Sequence, residues 1–488
     1  MKHEPTFDVG AQNAEAQGLS DVFCRRLCDV DASTLPEKTR RAAALAILDA
    51  TGTIAAAAAL SPETQAFLKL ARSDAGSCSL FGGGEASPAM AAFANGALAH
   101  ALDYEDVFER APCHPNAAAI PAAIAMAQAV GGVTGAEFLA AVALGCEAAC
   151  RLALSVQQPL EVNGWYPPPI FGAFGATVAA GRIARLTPEQ LRDALSLTLC
   201  QTTAPGEIKH SAGSHVRAVR EAFGARAAVT SVLLAADGVR GFERPLEGDA
   251  GFFQLYADGR YDADMLTDGV GEHFLIEEIS FKPWPSCRGT HAYIELAMNL
   301  KLAHRFHWRD IVRIDAPVGA VQEMLIAPLY AKRAPSTFIG AKFSIPFTLG
   351  LAFTRDRVSL LDFDEISLAD EAVLAIAALV HPEKRADWGR NNASSGALRV
   401  TLRNGAVFEA ETHTPKGHHA NPMSEDELVA KFIECASCAS PLNAEAAATL
   451  AREIIDIESS ADAGALFASV FRGLNGHKSQ KHIEGMKI

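Results

Sequence analysis

The chain begins without an apolar segment: "MKHEPTFDVGAQNAEAQ" carries no run that could act as a secretion signal, so a cytoplasmic location is expected. It also lacks an excess of positive charge. With 43 Lys and Arg against 57 Asp and Glu, the formal net charge is −14, which argues against nucleic acid as a partner and leaves room for a local basic pocket. The apolar stretches, such as "AAALAILDATGTIAAAAAL", are broken by Asp49 and threonines and read as buried helices, so no membrane partner is expected. No internal repeat and no long low-complexity linker interrupts the 488 residues. Ten cysteines are scattered without the ladder an iron–sulfur cluster needs, and they read as reduced thiols. The one C-x-x-C, Cys435 and Cys438, falls inside a helical pattern and reads as two small buried residues rather than a metal or redox site.

Helical periodicity fills the chain from Leu19 to about Ala236, with Ala, Leu and Val at spacings of three and four. "LTPEQLRDAL" marks one helix start with Thr187 before Pro188, and "SPETQAFLKLA" repeats the device at Ser61. The character changes near Ile276. "FLIEEISFKPWPSCRGTHAYIELAMNL" reads as a short strand, a loop and a helix, and "WRDIVRIDAPV" alternates like a strand. "GALRVTLRNGAVFEAETHTPKG" predicts a hairpin closed by a two-residue turn at Asn404-Gly405. "SLADEAVLAIAALV" is a helix between them, and helices return from Ser424, where a capping box begins. The expected fold class is mainly α. Residues 1–279 and 418–488 form a discontinuous all-helical domain, and residues 280–417 form a smaller α+β unit.

Four clusters carry candidate chemistry. "AHALDYEDVFERAPCHPN" offers His100, Asp103, Glu105, Asp106 and His114. A helix ending near Glu109 puts His100 and Asp103 on one face, and Pro112 forces a loop before His114. A carboxylate beside an imidazole makes an acid–base pair, whereas a solvated acidic helix end is the plainer reading. The spacing matches no strong metal pattern. In "NGWYPPPIFGAFGA", Gly172 and Gly175 either let a helix start bind an anion or let two helices pack closely. "GEIKHSAGSHVRAVREAFGAR" concentrates Lys209, His210, His215, Arg217, Arg220 and Arg226. Groups of this kind recognise carboxylates, though the three arginines cannot share one helix face. "FKPWPSCRGTHAYIELA" places Lys282, Cys287, Arg288 and His291 on a proline-stiffened loop.

In order, these segments resemble the MmgE/PrpD family, which includes 2-methylcitrate dehydratase, cis-aconitate decarboxylase and iminodisuccinate epimerase. "NGALAHALDYEDV…HPN", "GWYPPPIFGAFGA", "GSHVRAVREAFGARAA" and "FKPWPSCRGTHAYI" are similar to successive family motifs, and "SIPFTLGLAF" and "PKGHHANPMSEDELVAKF" to later ones. The resemblance implies an all-helical domain with an α+β lid, an active site between them, a homodimer, and no metal or organic cofactor. It matches Asp103 and His114 to the family's acid–base pair and Arg288 and His291 to the lid's contribution. Cys287 stands where the decarboxylase branch carries histidine. Tyr166 stands where relatives have the His of "GWH", Arg217 where many have lysine, and Arg220 where a histidine follows; Lys209 is placed to take over from the lysine. Arginine, unlike lysine, cannot shed a proton, so Arg217 binds anions only.

The expectation is therefore a cofactor-independent lyase, a dehydratase or decarboxylase, acting on a small di- or tricarboxylate. His114 or Asp103 removes a proton α to a carboxylate, Tyr166 or His291 donates one, and Lys209, Arg217, Lys282, Cys287 and Arg288 line the substrate. An epimerase working by the same proton abstraction and a catalytically idle carboxylate-binding protein are the alternatives.

Overall fold

The structure, a computed structural model, describes residues 18–475 apart from residues 212, 390, 391 and 441. The N-terminal 17 residues and the polar tail from residue 476, read above from sequence, lie outside the described residues.

Two apolar cores organise the chain. The first is built from helices, chiefly α1 (Glu37–Leu60), α2 (Pro88–Ala101), α3 (Pro115–Val130), α4 (Gly135–Ser155), α5 (Pro167–Ile183) and α6 (Glu221–Ala236). Apolar residues from Leu428 to Leu474 pack into this same core. Helices α1 and α4 are long and apolar enough to cross a membrane, but 78% and 94% of their apolar windows are buried inside the protein. Their Ala-rich faces let backbones approach. A Cβ on Gly175 of α5 would sit 2.6 Å from the Gly145 carbonyl oxygen of α4, so neither glycine tolerates a side chain. Gly172 and Gly175 lie inside α5, past its start at Pro167, and serve helix packing rather than anion binding.

The second core lies between residues 293 and 402. Helix α7 (His291–His304) packs on a four-stranded mixed sheet made of β1 (Ile311–Val318), β2 (Val380–Lys384), β3 (Gly396–Leu402) and β4 (Val407–Thr412). The strand order is β2-β1-β3-β4, parallel between β1 and β2 and antiparallel elsewhere. Helix α8 (Ile345–Thr354) packs against α7 and against the helix Glu371–Ala378. Three helices close the described chain, Glu425–Ala439, Ala444–Ile455 and Ala463–Asn475, and the first starts at Ser424 with a complete capping box.

Several local expectations change. A two-residue hairpin, Cys78–Ser79 with Glu85–Ala86, interrupts the helical N-terminal half. "FLIEEIS" is a 3-10 turn, Leu275–Glu278, rather than a strand; Leu275 and Ile276 are both buried, which alternation forbids. The β3–β4 turn is longer than two residues: Leu402 N–H bonds to Ala406 O, and Gly405, at φ +85°, takes the left-handed place at its end. Helix α2 stops at Ala101 rather than near Glu109, because the chain turns sharply through Asp103 at φ +52°. That turn builds the site.

Candidate active site

Residues 102–104 follow α2, and three buried lysines cap their successive carbonyls. Lys342 Nζ lies 2.5 Å from Leu102 O, Lys282 Nζ 2.9 Å from Asp103 O, and Lys431 Nζ 2.8 Å from Tyr104 O. A left-handed backbone at a non-glycine residue is disfavoured, and it persists where its surroundings over-determine it. Three ammonium donors arriving from distant segments do so here. Lys431 also pairs with buried Asp49 at 2.6 Å. Burial pushes Lys342 down to about 8, whereas Asp103 and Glu105 outweigh burial at Lys282 and raise it.

The Asp103 side chain is held on one side only. Oδ1 accepts from Lys282 Nζ at 2.9 Å, and Oδ2 is buried with no hydrogen-bond partner among the described residues. Burial opposes its charge, but Lys282 and the neighbouring histidines prevail and hold the carboxyl below its usual range. Glu105 Oε1 receives two imidazoles, His100 Nδ1 and, at 3.0 Å, His114 Nδ1. Against the penalty of burial, His100, Lys282 and His114 keep Glu105 well below the carboxylate range. His100 is pushed down to about 3 by burial and by Arg220, so it is neutral: its Nδ1–H faces Glu105, and its Nε2 accepts from Arg220.

His114 Nδ1 also lies 2.7 Å from the Asp106 carbonyl oxygen. Two acceptors converge on that nitrogen, so the proton resides there. Nε2, which has no hydrogen-bond partner among the described residues, keeps its lone pair. This is the arrangement of a base with a fixed tautomer. Asp106 itself is buried, accepts from Asn116 at 3.1 Å, and is pushed up to about 7 chiefly by burial.

These groups meet at a cavity of about 510 Å³ between the two cores. Its walls include Asp103, His114, Tyr166, Lys209, Arg217, Lys282, Cys287 and Arg288, and add Glu109, Glu161 and Arg220. Tyr166 caps the start of α5 and bonds Ala204 O through its N–H at 2.7 Å. Lys209 Nζ and Arg220 Cζ stand 5.3 Å and 5.2 Å from its ring centre. Lys209 approaches Glu161 at 3.8 Å. Arg217 stacks on Phe343 at 3.8 Å, and its buried Nε has no hydrogen-bond partner among the described residues. Arg220 is tied to Glu221 and His100, and Arg226 stacks on Phe93 at 4.9 Å; the three arginines thus take three roles.

The proline-stiffened loop is placed differently from expectation. Arg288 spends most of its donors on Glu109, Lys416 O, Pro415 O and His291, so it clamps the cavity's rim more than a ligand. His291 is fully buried off the cavity wall. Nδ1 accepts from Arg288 at 3.1 Å and Nε2–H donates to Ser286 O at 3.1 Å, which leaves no nitrogen free to hand a proton to a ligand. The Cys287 thiol is raised by burial and by Asp103, so it stays protonated and is no nucleophile. Cys435 is buried and Cys438 half-buried in their helix.

His100, Asp103 and Glu105 bring ligand atoms within 4.8 Å of one another, as a metal site would. Lys282 and Arg220 already fill that space, and a divalent ion would face both cations, so the donor set does not suit one. A neighbouring cavity of about 540 Å³ shares Arg220 with the first but includes neither Asp103 nor His114 in its walls.

Lys342, Lys431, Glu109 and Glu221 were not singled out by motif. Lys431 had a signal: with Leu428, Phe432 and Cys435 it falls on the apolar face of its helix, an unusual place for a lysine without a task.

Comparison with known proteins agrees along most of the chain. A sequence model described as the MmgE/PrpD N-terminal domain matches residues 22–263, and one for the C-terminal domain matches residues 284–456. The cis-aconitate decarboxylase-like protein of Aspergillus oryzae is 24% identical over 416 residues, 81% of this chain and 85% of that protein. The cis-aconitate decarboxylase of Aspergillus terreus is 23% identical over 445 residues, 86% of this chain and 90% of its own. The human cis-aconitate decarboxylase is 24% identical over 357 residues, 72% and 73% of the two chains.

Proposed function

The chain belongs to the MmgE/PrpD family, and from that premise we propose that it is a cofactor-independent dehydratase of a small hydroxy-di- or tricarboxylate. The observation that carries this reading is the pairing of a lone-pair nitrogen, His114 Nε2, with an unpartnered carboxylate oxygen, Asp103 Oδ2, in a cavity walled by Lys209, Arg217 and Lys282.

In this reading the cations receive the substrate's carboxylates and stabilise the charge that builds up on the α carbon's carboxylate. His114 Nε2 takes the α proton. It is a better base than Asp103, whose charge Lys282 already neutralises. The electron pair of the broken C–H bond forms the new carbon–carbon double bond as the β hydroxyl departs. Tyr166 gives that hydroxyl a proton, so it leaves as water, and the imidazolium's proton passes through solvent to the Tyr166 phenolate, which restores both groups. The wall from residues 280–417 acts as the lid of the site. A homodimer is part of the proposal, supported by Val216, Phe223, Leu233 and Leu234, exposed apolar residues along 216–234.

The names of the relatives favour a second reading, loss of carbon dioxide instead of water. Loss of carbon dioxide leaves a carbanion that must take a proton, just as a departing hydroxyl must, so Tyr166 in the cavity's wall serves either reaction. Incubation with citrate-like and hydroxy-diacid substrates tests both. New double-bond absorbance without gas supports dehydration. Carbon dioxide release supports decarboxylation, and solvent deuterium entering recovered substrate without product supports epimerisation. Folded Asp103→Asn and His114→Ala variants that keep full turnover overturn the proposal.

A further inference from the structure

Five side chains form one unbroken line that ends on His114. Glu221 Oε1 accepts from Arg220 Nε at 3.0 Å, Arg220 Nη1 donates to His100 Nε2, and His100 Nδ1–H donates to Glu105 Oε1. That same oxygen lies 3.0 Å from His114 Nδ1. The four members behind His114 are buried, and in such surroundings neighbouring hydrogen bonds polarise one another. His100, held down to about 3 by burial and Arg220, stays neutral, so the line carries an electrostatic influence and no proton.

The far end of the line has a place built for it. Glu221 is the first residue of α6 and is fully buried, and its Oε2 has no hydrogen-bond partner among the described residues. It packs on α5 at Gly172, where a Cβ would stand 3.1 Å from that oxygen, so the glycine leaves room for the carboxylate. A buried ion pair adds little to stability over apolar residues of the same volume, which leaves its action on its neighbours as the effect to weigh. Arg220, Glu105 and His114 are the charged groups that act on Glu221. Of the helices packed on α6, α2 adds His100, and α3 has no charged residue. The one charged residue of α5, Arg182, donates to Cys28 O and Val30 O. The helix Pro188–Leu199 keeps Glu189, Arg192 and Asp193 with Thr187, Asp21 and Gly241. His114 faces His100, with ring centres 5.5 Å apart, and Asp103, Glu105, Asp106 and Glu221. It shares the cavity with Lys209, Arg217 and Arg288, and Lys282 stands 3.9 Å from Glu105.

Resting on the reading of His114 as the base, we infer that Glu221 is a positioning residue for it: acting through Arg220, His100 and Glu105, it sets how readily Nε2 takes a proton. With Glu221 in place, the charge of Arg220 is balanced and Glu105 keeps its full pull on the imidazole. Without it, the guanidinium draws on Glu105 through His100, and the base weakens.

Glu221→Gln keeps the shape and removes the charge. The test reads His114 directly, in protein labelled with carbon-13 at histidine Cε1, where the His114 signal is the one lost in His114→Gln. Its titration midpoint should fall by roughly one unit in Glu221→Gln. A midpoint that stays or rises overturns the inference. Neither result needs turnover, so the lyase reading is judged separately by the substrate panel above. Where turnover is found, the acidic limb of the kcat profile should move to lower pH as well. KM should change less than kcat, since Glu221 is not among the described residues that wall the cavity. A limb that stays in place while kcat falls marks a merely structural role and overturns the inference. If Glu221→Gln does not fold, Glu221→Asp serves: it keeps the charge but draws it one methylene back from Arg220. The midpoint should then move the same way by less, and a midpoint equal to the parent's overturns the inference.

Discussion

Lys342 Nζ lies 2.5 Å from the carbonyl oxygen of Leu102, one residue before the left-handed turn that presents Asp103. The lysine is buried, and this carbonyl is the partner its ammonium finds, so the contact holds the backbone rather than a substrate. Lys342→Met keeps the stem's volume and removes the donor. A hydrogen bond from a charged donor is worth about 1.5–3 kcal/mol, and each 1.4 kcal/mol is a factor of ten. The turnover number should fall by roughly ten- to hundredfold if the turn relaxes, with KM moving less. The sign of the stability effect depends on pH. Burial lowers Lys342 in the folded state to about 8 from the 10.5 of a free lysine, so its contribution is fully present above about 10.5 and is lost as pH falls through about 8. Relative to Lys342→Met, the parent protein should therefore gain stability from pH 8 to pH 10; a constant difference in melting temperature would remove this assignment.

How much of this was legible in the sequence follows from distance along the chain. Asp103 and His114 sit in one 18-residue cluster, and Lys282 and Cys287 in another, so local motifs brought them forward. Tyr166, Lys209 and Arg217 were found the same way, and all seven line one cavity. The carbonyl caps were not legible, since Lys342 is 240 positions from Leu102 and Lys431 is 327 from Tyr104. His291 illustrates the converse. It stands three residues from Arg288 in a motif, but a helix begins at it and turns the ring inward against Trp284, with ring centres 5.3 Å apart. Periodicity identified the helices well, because their buried faces are continuous. It misread "FLIEEIS", whose apolar residues pack against helices rather than a sheet.

Glu105→Gln tests the tautomer argument. Glu105 Oε1 is shared by His100 and His114, and its charge helps to fix the proton on His114 Nδ1. An amide keeps the shape but no longer stabilises the imidazolium formed when Nε2 takes a proton. General-base catalysis contributes about 10²–10⁴-fold. The variant should lose a sizeable part of this in kcat, and its pH–rate profile should move. A variant with the parent's kcat and pH profile would mean that His114 is not the base.

Asp106→Asn separates structural from catalytic carboxylates. Asp106 is buried beside Asn116 and is pushed up to about 7 from 3.8, chiefly by burial. A carboxyl raised in the folded state contributes stability that is present below its unfolded value and is lost as pH rises through the folded one. Between about pH 4 and pH 7 the parent should therefore lose stability relative to Asp106→Asn as pH increases. Chemical denaturation at pH 5 and pH 8 checks this, and a variant that falls further behind the parent at pH 8 would refute it.

Tyr166→Phe is the sharpest test of the dehydration step. The Tyr166 backbone N–H already satisfies Ala204 O, and its ring packs beside Lys209 and Arg220, so phenylalanine keeps these contacts and removes only the hydroxyl. Melting temperature should stay within a few degrees of the parent, because no described hydrogen bond of the protein is lost. If the hydroxyl supplies the proton for the leaving group, kcat should fall by about 10²-fold or more. The loss should shrink on a substrate analogue with a better leaving group, such as fluoride, which needs little protonation to depart. A structural role would slow both substrates alike. Equal losses on hydroxyl and fluoride substrates would move the proton donor away from Tyr166, and unchanged turnover on both would leave the tyrosine as a spacer in the cavity wall.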